Sequence, residues 1–306
     1  MEAVDGARVD TARRGVYDAG VSTKEAKAGE SESPDLARVY YQAANGPRGP
    51  HSAAFFDLDK TILAKSSTLA LTKEFYKDGM IKRADALRAA YGQLVYTISG
   101  ADDNQMEEAA AFMSELVKGW QISRVHEIVA EALDNIVEPI IYEEAEELFR
   151  IHHEAGRKVV IVSSSGTEVV EPIGQRLGAD IVIGTQMAVE DGAYTGEILF
   201  YAYAENKATA MADLAQEQGF DLDRCFAYSD SHTDLPMLEM VGYPVATNPD
   251  AELRDIATER NWPQVRFRKP VALQRSIKSR EGKTAAAVAL GSAVALGLAW
   301  YARRRG

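Results

Sequence analysis

The stretch FFDLDKTIL, residues 55–63, decides the reading of this chain. Four apolar residues, Ala53 to Phe56, run straight into two aspartates separated by Leu58, and Lys60, Thr61 and the apolar pair Ile62–Leu63 follow. Aspartate is depleted in strands, and like charges held close cost energy. A polar strand end turning into a loop is one explanation, because a short D-x-D often arises by chance. A strand that delivers paired carboxylates to a site is the other, and the rest of the chain has to decide between them.

Downstream, AAFFD (53–57), KVVIVSS (158–164), ADIVIGT (179–185), CFAYSD (225–230) and YPVATN (243–248) are short apolar runs ending in small or polar residues. Between most of them lie helical stretches closed by glycine, such as EEAEELFRIHHEAG and KATAMADLAQEQG. Buried runs alternating with helices predict an α/β fold with a Rossmann-like parallel sheet. Ligands of such sheets bind beyond the carboxyl ends of the strands, which places Asp57, Ser163 and Asp230 in view. About 100 residues separate the first run from the second, far more than the dozen or so a crossover needs. Residues 66–139 therefore read as a helical cap inserted above the first strand, between core segments 51–65 and 140–268. MAVEDGAYTGEI (187–198) reads as a hairpin with a D-G turn.

Four polar features occur in order along this framework. D-L-D-K-T opens at Asp57. Ser163 ends the second run in a Ser/Gly segment. Lys207 starts a helix, and S-D-S-H-T-D carries Asp230 and Asp234. Taken singly, Lys207 is equally a solvated helix residue and Ser163–Ser165 equally a plain helix N-cap. Their joint occurrence at successive predicted strand ends is what argues for a site.

In this order the motifs resemble the haloacid dehalogenase superfamily of phosphohydrolases over roughly residues 52–268. The insertion after the first motif resembles the phosphoserine-phosphatase-like branch with its helical cap. The resemblance implies a phosphomonoesterase with Asp57 as nucleophile and Asp59 as general acid and base. It implies Mg²⁺ held by Asp57, the backbone carbonyl of Asp59 and Asp230, with Asp234 behind them or ligating through water. It further implies that Lys207 and Ser163 bind phosphoryl oxygens and that Thr61 steadies the loop through backbone hydrogen bonds. Serine-specific members carry a glutamate nine residues after the nucleophile, and Ser66 stands there instead. A small phosphorylated metabolite or a lipid phosphate is the expected substrate, with phosphoserine as the alternative. An alternative of another class is a catalytically silent, tail-anchored binding protein on a phosphatase fold; the intact motif residues favour the enzyme.

The 306 residues carry a net charge of −12, which excludes nucleic acid as a general partner. A single cysteine, Cys225, excludes an internal disulfide and a cysteine-cluster zinc site, and the five histidines show no ligand spacing. Cys225 itself reads as a small buried residue, and the pair His152–His153 as surface. Residues 1–50 lack a sustained apolar pattern and read as a disordered arm, with a weak helix around PDLARVYYQAA and no secretory h-region. From Pro263 to Gly306 ten Lys/Arg stand against Glu281 alone, a basic tail on an acidic body. Within it, a basic linker at 269–283 precedes the 19 uncharged residues 284–302. As a helix these span about 28 Å, close to the ~30 Å hydrocarbon core. They read as a transmembrane helix holding a cytoplasmic catalytic domain to its membrane, or else as an apolar C-terminal helix packed on the protein. Nothing in the composition sets the oligomeric state.

Overall fold

A computed structural model describes residues 34–82, 111–268 and 270. The expected transmembrane helix at 284–302, the basic linker apart from Pro270, and residues 1–33 of the arm lie outside the described residues. Among the described residues no helix is long and apolar enough to cross a membrane.

The core is a seven-stranded sheet in the order β4-β3-β2-β1-β5-β6-β7. Its strands are β1 Ala53–Phe56, β2 Lys158–Gly166, β3 Ile181–Glu190, β4 Ala193–Phe200, β5 Phe226–Ser229, β6 Tyr243–Thr247 and β7 Gln264–Val265. Every pairing is parallel except β3 with β4. β1 is central, flanked by β2 and β5, and its four residues are fully buried. The run is continuously apolar because both faces are covered. Ala54 and Phe56 enter one core with Val159 and Ile161. Ala53 and Phe55 enter the other with Val160, Val162, Met211 and Met237. Each such large side chain contributes about 1.5–3 kcal/mol by burial, so an aspartate would be out of place anywhere in β1 except after its last residue.

The helices are α1 Pro34–Asn45, α2 Ser67–Lys77, α3 Ile122–Ala132, α4 Glu143–Glu154, α5 Thr167–Leu177, α6 Glu205–Gln218, α7 Leu235–Glu239 and α8 Ala251–Glu259. Helices α2 and α3, with helical residues at 111–117, form the described part of the cap. Leu71, Phe75, Val125, Ile128 and Val129 are buried there, and the rings of Phe75 and Trp120 lie 5.2 Å apart.

Several features depart from the sequence reading. The weak helix read around PDLARVYYQAA is helix α1, Pro34–Asn45, but it belongs to the core and not to a disordered arm, burying Leu36, Val39 and Ala43 at helical spacing. ADIVIGT and the first hairpin strand are one continuous strand, β3, so the parallel sheet ends in an antiparallel edge. The hairpin itself turns through Asp191 (φ 50) and Gly192 (φ 78), the positive angles a two-residue turn requires. Its tip is tied to the cap: Gly119 N–H donates to Tyr194 O at 2.8 Å, and Tyr194 N–H donates to Trp120 O at 3.0 Å.

His152 is not at the surface. Adjacent helical residues point about 100° apart, so His153 reaches Asp180 outside while His152 is fully buried. Arg157, itself buried, donates to His152 Nδ1, Pro47 O and Ala43 O, each at 2.7 Å. Arginine can only donate, so His152 accepts at Nδ1, carries its proton on Nε2 and donates to Tyr228 Oη at 2.9 Å. Tyr228 stacks flat on Phe56 at 4.2 Å, which ties β1 to β5 one residue short of Asp57 and two short of Asp230.

Candidate active site

The carboxyl ends of β1, β2 and β5 and the first turn of α6 converge on one point. Asp57 follows β1 directly, and its N–H continues the ladder to Tyr228 O at 2.9 Å. The chain then turns sharply, with Ile62 and Leu63 N–H both donating to Leu58 O. Lys207 projects from the start of α6, is buried, and donates to Asp57 Oδ1 at 2.6 Å and to Asp234 Oδ2 at 2.9 Å. The solvated-helix reading of Lys207 is therefore excluded. Asp234 also accepts the Ser229 hydroxyl at 2.6 Å, so both of its partners come from core elements. Asp230, buried after β5, accepts Asp250 N–H on its main-chain oxygen at 2.8 Å and faces Lys60 Nζ at 3.6 Å.

Asp59 is aimed by the start of the cap: Ser67 N–H donates to its Oδ1 at 2.8 Å. The Ser67 hydroxyl meets that of Ser165 at 2.9 Å, and Ser165 N–H donates to Ser163 Oγ at 3.2 Å. One chain of hydrogen bonds thus links the acid loop to the serine of β2. Ser163–Ser165 lie in an extension of β2 and do not cap α5, whose N-cap is Gly166. Thr61 departs from expectation, since its buried hydroxyl has no hydrogen-bond partner and steadies nothing by that route. Ser67, Ser229 and Lys60 are working parts that the sequence reading did not single out. Ser229 was visible as the serine before Asp230, but its partner Asp234 emerges only from the turn between them.

Burial pushes the Asp57 carboxyl up to about 7, against the pull of Lys207. Asp230 is held well above the carboxylate range by burial and by Asp57, and Asp59 is raised by burial. Burial opposes the charge on Lys207, yet Asp234 and Asp57 together hold its pKa above the ordinary lysine value. Asp57, Asp230 and Asp234 thus share a pocket with one buried ammonium, and like charges so placed demand further positive charge or a proton.

A hard divalent cation fits that demand. The available donors are all oxygens, and Asp230 is raised by burial and by its neighbours Asp57 and Asp234. Among the described residues no three or more His, Cys, Asp or Glu side chains form a ligating cluster. An ion held there by so few side chains would keep water in its shell, as Mg²⁺ does.

Residues 54–239 match the family model for haloacid dehalogenase-like hydrolases. The chain is 53 % identical over 262 residues to a Streptomyces azureus protein named for inhibition of morphological differentiation, covering 84 % of this chain and 95 % of that one. It is 45 % identical over 280 residues to a "probable phosphatase" of Mycobacterium tuberculosis, covering 90 % and 97 % of the two chains. Relatives of lower identity are named phosphoserine phosphatase. Among solved structures, a Bordetella pertussis protein of unknown function superposes with a TM-score of 0.63 at 28 % identity, over 70 % of this chain and 98 % of that one. With the family model spanning more than half of its length, this chain belongs to the haloacid dehalogenase-like hydrolases.

Proposed function

We propose that this hydrolase is a Mg²⁺-dependent phosphomonoesterase that works through an aspartyl-phosphate on Asp57. The observation that carries the reading is the Lys207 ammonium shared between Asp57 and Asp234, with Asp59 held separately by Ser67. Lys207 favours the ionised form of Asp57 against the effect of burial and holds one of its oxygens, leaving the other to attack phosphorus. Asp59 lies two residues on, raised towards the protonated form by burial, as an acid for the leaving alkoxide must be. Once deprotonated, Asp59 is placed to take the proton of the hydrolytic water. Lys207 and the Ser163 hydroxyl stabilise the charge that develops on the phosphoryl oxygens. Mg²⁺, held by Asp57, the Asp59 carbonyl and Asp230, would supply the remaining positive charge, and Asp234 acts by fixing Lys207.

The proposed substrate is a small phosphorylated metabolite or a lipid phosphate. Ser66 is the N-cap of α2, and its hydroxyl serves Leu69 N–H and the Asp59 carboxyl, so the position of the serine-gripping glutamate holds a short residue engaged with its own loop. Phosphoserine remains the alternative on the strength of the named relatives. A lipid substrate goes with the membrane proposal for 284–302 and a cytoplasmic catalytic domain. A panel of phosphometabolites, phosphoserine and phosphatidate vesicles, assayed for phosphate release with Mg²⁺ and with excess chelator, tests these assignments. Turnover confined to Mg²⁺ and lost in Asp57→Asn is expected. Full activity in chelator, or in Asp57→Asn, overturns the reading. Co-sedimentation of the full chain with membranes through a high-salt wash supports anchoring by apolar insertion, because ~1 M salt shrinks the Debye length to about 3 Å. Complete release by that wash refutes it.

A further inference from the structure

Lys60 is the only non-glycine residue between Asp57 and Ser66 with a left-handed backbone, at φ 62. L side chains adopt that region at a cost and need support from their surroundings. The support comes from the end of β6. Asn248, itself at φ 51, donates from Nδ2 to Lys60 O at 2.7 Å and accepts Phe267 N–H on Oδ1 at 2.8 Å. With its backbone pinned in this way, Lys60 lays its ammonium 3.6 Å from Asp230 Oδ2. The two lysines of the site are not equivalent. Lys207 is locked between two carboxylates at 4 % side-chain exposure, whereas Lys60 is 45 % exposed and stands on the rim above a carboxylate that is only 9 % exposed. Half-exposed, the Lys60 ammonium can turn towards water, whereas Lys207 is enclosed.

We propose that Lys60 competes with the divalent cation for Asp230, so that its ammonium sets the metal affinity of the site. The inference rests on the assignment of Asp57 and Asp230 as metal-holding carboxylates. Without metal, the ammonium offsets part of the negative charge around Asp230. A cation arriving at that carboxylate repels the ammonium and displaces it, so each binding event gives up the ion pair. Lys60 is accordingly a positioning residue that acts through Asp230.

The test is calorimetric titration of Mg²⁺ into the metal-free full-length protein, which reads affinity without turnover. Lys60→Asn removes the charge and tolerates the left-handed backbone, and Lys60→Gly removes both charge and strain. Both variants are expected to bind Mg²⁺ roughly two- to fivefold more tightly, the scale of a half-exposed ion pair. Lys60→Arg keeps the charge and should bind as wild type does. The advantage of the neutral variants should shrink as KCl is added, because exposed charges are screened. Unchanged or weaker affinity in both neutral variants overturns the proposal, as does an Arg variant that shifts as far as they do. Wild-type protein that takes up no Mg²⁺ overturns the metal site and the Lys60 proposal together. Binding that Asp230→Asn abolishes and Lys60→Asn leaves unchanged removes only the latter.

Discussion

Replacing Lys207 by methionine keeps most of the side-chain volume and deletes the single buried ammonium that serves two carboxylates. Breaking a buried ion pair by removing one partner costs about 3–5 kcal/mol, because the other charge is left uncompensated. Here the Asp57 carboxyl already stands near 7 against an ordinary 3.8, raised by burial, and loss of Lys207 removes the main influence holding it down. A carboxyl whose folded pKa lies above its unfolded value binds its proton more tightly when folded. Stability then falls as pH rises from the unfolded to the folded value, by about 1.4 kcal/mol per pH unit. In Lys207→Met that window extends further up. Urea denaturation of metal-free protein should show the full deficit of about 3–5 kcal/mol near pH 8 and a smaller one near pH 5.5, where Asp57 is protonated in the folded state and only Asp234 is left without its ammonium. Adding Asp57→Asn to Lys207→Met should recover part of the loss near pH 8, a non-additivity expected of direct partners. A variant within about 1 kcal/mol of wild type at pH 8, or a deficit indifferent to pH, would refute the role given to the ammonium.

Asp59→Asn should cut kcat by roughly 10²–10⁴-fold and let a phosphoenzyme accumulate, read by rapid quench; wild-type turnover would remove its acid–base role. Burial and the neighbouring Arg157 hold the His152 pKa well below its ordinary 6.5, so the folded protein keeps it neutral while the unfolded chain takes up a proton below about pH 6.5. His152 thus lends stability that is present above that pH and lost as pH falls. The stability gap between wild type and His152→Gln should narrow by about 1.4 kcal/mol per unit below it, and a constant gap would contradict the neutral buried tautomer. Thr61→Val removes a buried hydroxyl that has no partner, so its urea midpoint should stay level or rise, by up to about 1–3 kcal/mol in stability. A loss above about 1 kcal/mol would mean that the hydroxyl does useful bonding.

The strand ends were readable because burial on both faces forces an uninterrupted apolar run, and a carboxylate can follow only where that run leaves the core. Hence Asp57 and Asp230 fall where AAFF and FAYS stop. The D-G turn was readable because its backbone angles all but require those residues. Contacts between distant segments were not. Helix α1 showed only as a weak helix in a Gly/Ser/Glu-rich context, because its three buried residues gain their value only against the core. His152 looks like a surface residue until Tyr228 arrives from β5 and Arg157 folds back on it from just beyond the helix. The link from Asp59 through Ser67 and Ser165 to Ser163 spans 98 residues at its middle step, and no local pattern encodes it.

The central claim, covalent phosphoryl transfer to Asp57, is tested most directly by chemical trapping. Asp59→Asn protein is mixed with a phosphoester that wild type hydrolyses, quenched in acid, reduced with borohydride and digested, and the peptide spanning Asp57 is sequenced by mass spectrometry. Reduction of an aspartyl-phosphate yields homoserine, which should appear at position 57, only when substrate was present and never in the Asp57→Asn/Asp59→Asn double variant. Phosphate release by wild type with aspartate intact at 57 in every quenched sample, or homoserine at position 59, 230 or 234 instead, would contradict the account.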